Sequence, residues 1–382
     1  MNPHDAHLDA FGSPVVDRLL AATPANQWSL PGGTLRLPRV FGFCRGVKRA
    51  LSMAEQAASL HDPNKGRLIL LGEIIHNPWV NDHFRRLGGT ILLPEQRKPK
   101  NIDKHLSAND TAVIPAFGAG VATEAHLKQL GCEVVDCSCG DVIRLWHWST
   151  HAVKDGFGVL IFGKPRHDET VVTKSRLDQA GGKFIVAESI DKVHDFANLI
   201  ATGNDSPERF AELFDPDATN AQSPADLAHL AQVSQTTMLY SHTEEVRQIL
   251  TDAFTTRFGE IEQRLIFQPT VCRATQDRQN AAVELCQSGC DLVIVVGGHT
   301  SSNTRHLYEL ARQFAPAYHI EDATAIRSRE TIFAWDPANG HATEQTGWLP
   351  QKRPLNIAIL AGASSPEIVI GEVLQTLAEF LQ

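Results

Sequence analysis

Short apolar runs that stop at glycine-rich or polar motifs recur along the chain, and most lead into apolar residues at helical spacing. Residues 34–40 alternate as a strand leading to Cys44, after which Val47, Ala50, Leu51, Ala54 and Ala58 recur on one helical face. Residues 68–71 and 112–115 are continuous apolar runs of the kind buried in parallel sheets. They end at Gly72-Glu-Ile-Ile-His-Asn-Pro and at Ala116-Phe-Gly-Ala-Gly. A second round opens at residues 133–136, passes through Cys137-Ser-Cys139-Gly-Asp and continues as a helix with Val142, Leu145, Trp146 and Ala152. Residues 159–162, 184–187 and 230–233 read as further strands. The first ends in Gly163-Lys-Pro-Arg-His-Asp-Glu-Thr and the last in Ser234-Gln-Thr-Thr. A third round runs from residues 265–267 through Cys272-Arg-Ala-Thr-Gln-Asp-Arg-Gln into a helix with Ala281, Ala282 and Leu285. Residues 292–296 end in Gly297-Gly-His-Thr-Ser-Ser-Asn, residues 318–320 form a short strand, and residues 357–360 end in Ala361-Gly-Ala-Ser-Ser-Pro-Glu before a closing helix.

Three segments break this rhythm. Residues 1–33 carry Pro3, Pro14, Pro24 and Pro31, with only residues 15–22 in a helical pattern, and read as an appendage to the core. Residues 202–224, rich in Asp, Asn, Ser and Pro, read as a surface excursion, and residues 331–348 as another irregular one. The rest alternates strand and helix, which predicts an α/β fold of mostly parallel sheets with helices packed on them. Three rounds open with a cysteine, so the expected architecture is three α/β lobes around one central site. Lobe one covers residues 34–138, lobe two 139–264 and lobe three 265–382, preceded by the extension at 1–33. In such sheets ligands sit beyond the carboxyl ends of the strands, where nearly every polar motif falls.

Composition narrows the partners. The chain has 382 residues, and its net charge of -9 argues against general attraction to nucleic acid or an anionic membrane, so any anion site must be built locally. No apolar run is long enough to span a bilayer, and the N-terminus lacks a charged segment followed by an apolar one. These readings predict a cytoplasmic protein. Seven cysteines, an odd number, make a poor disulfide framework and are better read as metal ligands, nucleophiles or buried apolar residues.

Cys44, Cys139 and Cys272 each stand at a strand-to-helix junction, where the helix dipole and unpaired amides favour thiolate and bound anionic clusters. They lie too far apart in sequence for a local zinc knuckle, so each must arrive from a different lobe. Three protein ligands on a cubane iron–sulfur cluster leave one iron open to act as a Lewis acid and electron donor. Unrelated buried cysteines are the plain alternative. Cys137, two residues before Cys139, faces the same way in an extended segment and competes with it as ligand. Cys139 is favoured by its place at the turn into the helix. Cys132, Cys286 and Cys290 have no such setting, and packing is the expected role of the Cys286 and Cys290 pair.

His76 and His167 follow apolar strands, where imidazole can donate to phosphate oxygens, although a structural histidine is the commoner case. Ser301, Ser302 and Asn303 after Gly297-Gly298, and Ser364 after Gly362, have the pattern of anion cradles at helix N-termini; helix capping is the plain reading of the same residues. Glu169 stands two residues after His167 and, in a dehydrated pocket, can serve as proton donor. Thr236 is compatible with orienting a substrate hydroxyl and equally with closing a strand.

Taken together, Gly-Phe-Cys44-Arg-Gly-Val, Glu-Ile-Ile-His76-Asn, His167-Asp-Glu169, Gln-Thr236-Thr, Cys272-Arg-Ala-Thr-Gln-Asp-Arg-Gln, Ser301-Ser-Asn303 and Gly-Ala-Ser364 resemble the 4-hydroxy-3-methylbut-2-enyl diphosphate reductase (LytB) family. Pro-Ala-Phe117-Gly, Ile-Ile-His-Asn-Pro and the N-terminal extension are similar to its plant and cyanobacterial branch. The resemblance spans about residues 36 to 375. It implies a cloverleaf of three lobes around one [4Fe-4S] cluster per chain, held by Cys44, Cys139 and Cys272, whose fourth iron takes the substrate hydroxyl. It implies that His76, His167, Ser301, Ser302, Asn303 and Ser364 hold the diphosphate, with protons routed through Glu169 and positioned by Thr236. A ferredoxin or flavodoxin would supply two electrons. The products would be isopentenyl and dimethylallyl diphosphate, from the last step of the non-mevalonate (MEP) isoprene biosynthesis pathway. Two positions depart from the family pattern. Phe117 stands where many members have histidine, and Gly140-Asp141 follows Cys139 where they have proline, which loosens the first helical turn and adds negative charge. Two other readings share the cysteines: an iron–sulfur enzyme for another phosphorylated hydroxyl compound, and a non-catalytic metal-binding sensor.

Overall fold

A computed structural model of the chain describes residues 9–382. Pro3 and the features read at the extreme N-terminus lie outside the described residues. By contact density the chain divides into two compact units, one made of residues 1–92 and 273–382, the other of residues 93–272.

The first unit is built on a five-stranded sheet in the order Gln27–Leu30, Gly33–Arg36, Leu355–Ala361, Leu292–Val296, Ala317–Ile320. The first two strands form an antiparallel hairpin and every other neighbour pair is parallel. Leu292–Val296 is an unbroken apolar run, and Leu355–Ala361 is broken only by the exposed Asn356, because helices cover both faces of the sheet there. The strand expected over residues 34–40 is shorter, Gly33–Arg36, since pairing stops two residues before Pro38, which has no amide to donate. In the same unit Leu68–Leu70 pairs parallel with Thr90–Ile91.

The second unit holds an all-parallel four-stranded sheet in the order Leu265–Phe267, Leu230–Ser234, Gly158–Phe162, Phe184–Ala187, together with a parallel pair of Thr111–Ile114 and Glu133–Asp136. Its core fills from Leu160, Phe162 and Ile185 on the sheet and Phe196, Ile200, Leu250 and Phe254 on the helices Ile190–Thr202 and Tyr240–Phe258. The fold is therefore α/β with mostly parallel sheets, as the alternation predicts.

Two of the three irregular segments turn out differently, and the third is partly built in. The described part of the N-terminal extension is not an appendage. Ser13 caps the helix Pro14–Ala21, which buries Val15, Val16 and Leu19 in the main core. That helix approaches the closing helix Glu367–Phe380 so closely that a Cβ on Gly371 would meet Ser13 Oγ at 2.0 Å. The apolar spacing was too short to signal this, because the partner surface comes from the far end of the chain. Residues 331–348 are not irregular either. They form an antiparallel hairpin, Thr331–Asp336 with His341–Thr346, whose Ile332 and Ala334 face the core while Phe333 faces out. Asp336 organises the turn by accepting from the amide of Ala338 at 2.9 Å and from the side chain of Asn339 at 2.6 Å, and Gly340 takes the left-handed conformation that closes it. Within residues 202–224, the helix Pro207–Leu213 buries Phe210, and Phe214 and Ala221 join the same core.

Candidate active site

In each unit the chemistry-bearing residues sit at the carboxyl ends of parallel strands. In the first unit the register Val296↔Ala361 sets the loops after these two strands side by side. Ser301 caps the helix Ser302–Ala311, its hydroxyl accepting from the Thr304 amide at 3.3 Å and from the Thr304 hydroxyl at 3.0 Å. The Ser364 hydroxyl lies 3.3 Å from that of Ser301 and 3.4 Å from the His76 carbonyl. The Asn303 side chain accepts from the Ala363 amide at 2.9 Å, and Ala363 in turn accepts from the Cys44 amide at 3.3 Å. His76, Ser301, Ser302, Asn303, Ser364 and Cys44 are thus parts of one connected loop cluster. The close approach requires small residues: a Cβ on Gly298 would sit 2.7 Å from the His76 carbonyl, and one on Gly362 2.1 Å from the Thr304 hydroxyl.

His76 Nδ1 meets Glu73 at 3.0 Å, and Asn77 immediately after it caps the helix Pro78–Arg86. At the other side of the cluster, His319 is fully buried and donates from Nε2 to the Gly297 carbonyl at 2.9 Å. Burial, with the neighbouring His299 ring adding to it, pushes its pKa down to about 3, so it is the neutral imidazole that braces the Gly297 turn. The His299 amide donates to Glu321 at 3.1 Å.

Cys44 is the N-cap of the helix Arg45–Leu60, and its sulfur accepts from the Val47 amide at 3.4 Å. Its loop is braced by the buried Arg278, which donates twice to the Gly42 carbonyl, at 3.2 and 2.6 Å. Phe43 and Trp79 both pack edge-on against Phe11, with centroids 5.5 and 5.6 Å away. The extension therefore holds the residue before Cys44 and the helix after His76.

In the second unit, Glu169 is fully buried in the first turn of the helix Asp168–Gln179, which His167 caps by accepting the Glu169 amide at 3.3 Å. The carboxylate accepts from the Thr236 amide and from the Thr236 hydroxyl, both at 2.7 Å. The Thr236 carbonyl accepts the Cys272 amide at 3.0 Å. One chain of hydrogen bonds thus joins His167, Glu169, Thr236 and the backbone of Cys272. Phe117 packs edge-on against His167, with centroids 5.6 Å apart.

Cys139 is the N-cap of the helix Gly140–Lys154. Cys137, its competitor, is completely buried, whereas Cys44, Cys139 and Cys272 are all partly exposed. A Cβ on Gly140 would enter open space, so the fold does not demand glycine there. The Asp141 carboxylate accepts from Arg144 at 2.6 Å, so its charge has a local partner. Gly118 is different: it has positive φ, and a Cβ would strike the Trp146 ring at 2.3 Å.

Among the described residues, no three His, Cys, Asp or Glu side chains are spaced to hold a single metal ion. The partly exposed sulfurs nevertheless fit an iron–sulfur group chemically. Thiolates are soft ligands suited to iron–sulfur clusters, and the N-cap placement of Cys44 and Cys139 supplies amide donors and a positive dipole end. The residues whose roles sequence reading passed over are Phe11, His319 and Arg278, which act across the fold, and Glu73, which meets His76 three residues on. Only Asn77-Pro78 carried a local signal, a capping residue before proline.

Comparison with known proteins identifies the family. The family model described as LytB protein matches residues 35–378. The chain is 33% identical over 358 residues to the 4-hydroxy-3-methylbut-2-enyl diphosphate reductase of Thermosynechococcus vestitus, covering 91% of this chain and 85% of that one. The enzyme of the same name from Gloeobacter violaceus is 33% identical over 371 residues, covering 93% and 85%. Among solved structures, the E-1-hydroxy-2-methyl-but-2-enyl-4-diphosphate reductase of Plasmodium falciparum aligns with a TM-score of 0.66 at 20% identity, over 91% of this chain and 88% of that one. A solved (E)-4-hydroxy-3-methyl-but-2-enyl diphosphate reductase, the terminal enzyme of the non-mevalonate pathway, aligns with a TM-score of 0.55 at 24% identity, over 90% and 99%. With its motifs in order along a matching α/β frame, the chain belongs to the LytB family.

Proposed function

We infer that this protein is an oxidoreductase that converts 4-hydroxy-3-methylbut-2-enyl diphosphate to isopentenyl and dimethylallyl diphosphate, the terminal step of the non-mevalonate pathway. The reaction replaces the allylic hydroxyl by hydrogen. It consumes two electrons and two protons, and the oxygen leaves as water. The observation that carries the reading is the buried Glu169 carboxyl held by both the amide and the hydroxyl of Thr236, which is itself bonded to the Cys272 backbone. A fully buried carboxyl with two aimed donors serves a packing role poorly, and serves well as a proton carrier beside a reacting carbon.

In this reading Cys44, Cys139 and Cys272 hold the cluster, one [4Fe-4S] per chain, and the three-lobe division at residues 34–138, 139–264 and 265–382 gives each lobe one ligand. Bound there, the cluster supplies one-electron transfer and a Lewis-acidic iron. Glu169 holds the proton at its carboxyl oxygens, and Thr236 fixes which oxygen faces the substrate. His76, Ser301, Ser302, Asn303 and Ser364, with His167, bind the diphosphate: hydroxyl and amide hydrogens at the start of the helix Ser302–Ala311 match the negative oxygens. Phe117, against His167, excludes water from that ring. The electrons come from a ferredoxin- or flavodoxin-type donor, and the reaction takes place in the cytoplasm. Anaerobic turnover of cluster-loaded protein with this diphosphate and a reduced one-electron donor is the test. Both five-carbon diphosphates are expected; a cluster-loaded sample that yields neither would overturn the reading.

A further inference from the structure

The helix Arg273–Gln287 carries a second pair of sulfurs at its far end, outside the proposed ligand set. Cys286 lies in its last turn, packed in the core with Ala282, Val293 and Leu307, and is 4% exposed. The chain then turns at Gly289, whose φ of +93° admits only glycine comfortably, and delivers Cys290 with its sulfur 3.9 Å from the Cys286 carbonyl. Cys290 remains partly exposed. The turn brings the two thiols within hydrogen-bonding reach of each other, the proximity from which an S–S bond can close. The turn between the two sulfurs is fixed from outside: Arg36 donates to the Ser288 hydroxyl at 3.0 Å and to the Gly289 carbonyl.

We propose that Cys286 and Cys290 form a reversible thiol–disulfide site that exchanges with low-molecular-weight disulfides. The two sulfurs have the unequal settings that exchange requires. Cys290 is reachable from solvent, and its pKa is drawn down to about 7 by the hydrogen bond from Cys286, with the Arg36 charge assisting against burial and Asp291. Cys286 is pushed up, through that same hydrogen bond and through burial. Cys290 is therefore the attacking sulfur and Cys286 the resolving one. The Cys290 thiolate attacks one sulfur of glutathione disulfide, the S–S bond breaks, and a glutathione thiolate leaves. Cys286 then attacks the Cys290 sulfur, gives up its proton, and releases the second glutathione. Two protein thiols are oxidised and one glutathione disulfide is reduced, so no other reactant is needed.

The proposal stands independently of the reaction assigned to the main site. Trypsin cuts after Arg278 and Arg305, and residues 279–305 contain these two cysteines and no others. The test incubates anaerobic cluster-loaded protein with glutathione disulfide, alkylates, digests and weighs that peptide. The wild-type peptide should lose two hydrogens and escape alkylation, reversibly with dithiothreitol. Cys286→Ser should instead retain one glutathione on Cys290, and Cys290→Ser should stay reduced. A wild-type peptide that remains doubly alkylated, or Cys290→Ser modified at Cys286 as fast as the wild type, would overturn the proposal.

Discussion

At the scale of single residues, burial separates the two candidates for the middle sulfur. Cys137 is closed off at 0% exposure and Cys139 caps a helix at the surface of its unit. Replacing Cys44, Cys139 or Cys272 with serine is expected to deplete iron and abolish activity, whereas Cys137→Ser should retain both; iron analysis of the four purified variants decides it. Glu169→Gln keeps the shape of the buried side chain and its contact with Thr236 but cannot shuttle a proton in the same way. Its expected effect is a loss of kcat of about a hundredfold or more with iron content unchanged. Wild-type turnover in that variant would remove the proton-delivery role. Both residues were legible in the sequence as candidates. The 2.7 Å bonds between Glu169 and Thr236 were not, because they join positions 67 apart in the chain.

At the scale of elements, the strands and cysteine helices were legible because continuous apolar runs and 3.6-residue spacing are local signals. The hairpin Thr331–Asp336 with His341–Thr346 was missed because only Ile332 and Ala334 alternate clearly, and its outer strand is polar. The N-terminal helix was recognised but misplaced, since its burial depends on a partner more than 300 residues downstream. Phe11 offers the sharpest test of its role. It is 2% exposed and touches the rings of Phe43, Trp79 and His83. Truncation to alanine should cost about 3 kcal/mol, read as a lower urea midpoint of the full chain. A midpoint unchanged from wild type would mean that the extension does not brace the Cys44 loop.

At the scale of the whole molecule, the buried neutral His319 links stability to pH. Its pKa falls from 6.5 to about 3 on folding, so below 6.5 the unfolded chain takes up a proton that the folded chain refuses. Stability from this group is present above 6.5 and is lost as pH falls. The wild type should lose about 1.4 kcal/mol per pH unit more than His319→Gln as the pH drops below 6.5, by urea unfolding of both proteins. Parallel curves would show that His319 does not resist protonation. The sequence by itself determined the α/β class, the order of strands and cysteine helices, and the identities of the residues at strand ends, because short-range periodicity and capping chemistry act over a few residues. Which strands lie side by side, that Ser364 reaches Ser301 and His76, and that Thr236 grips Glu169 were decided only by tertiary structure. Those contacts depend on sheet order and register, and packing between distant segments leaves no periodic trace in either segment alone.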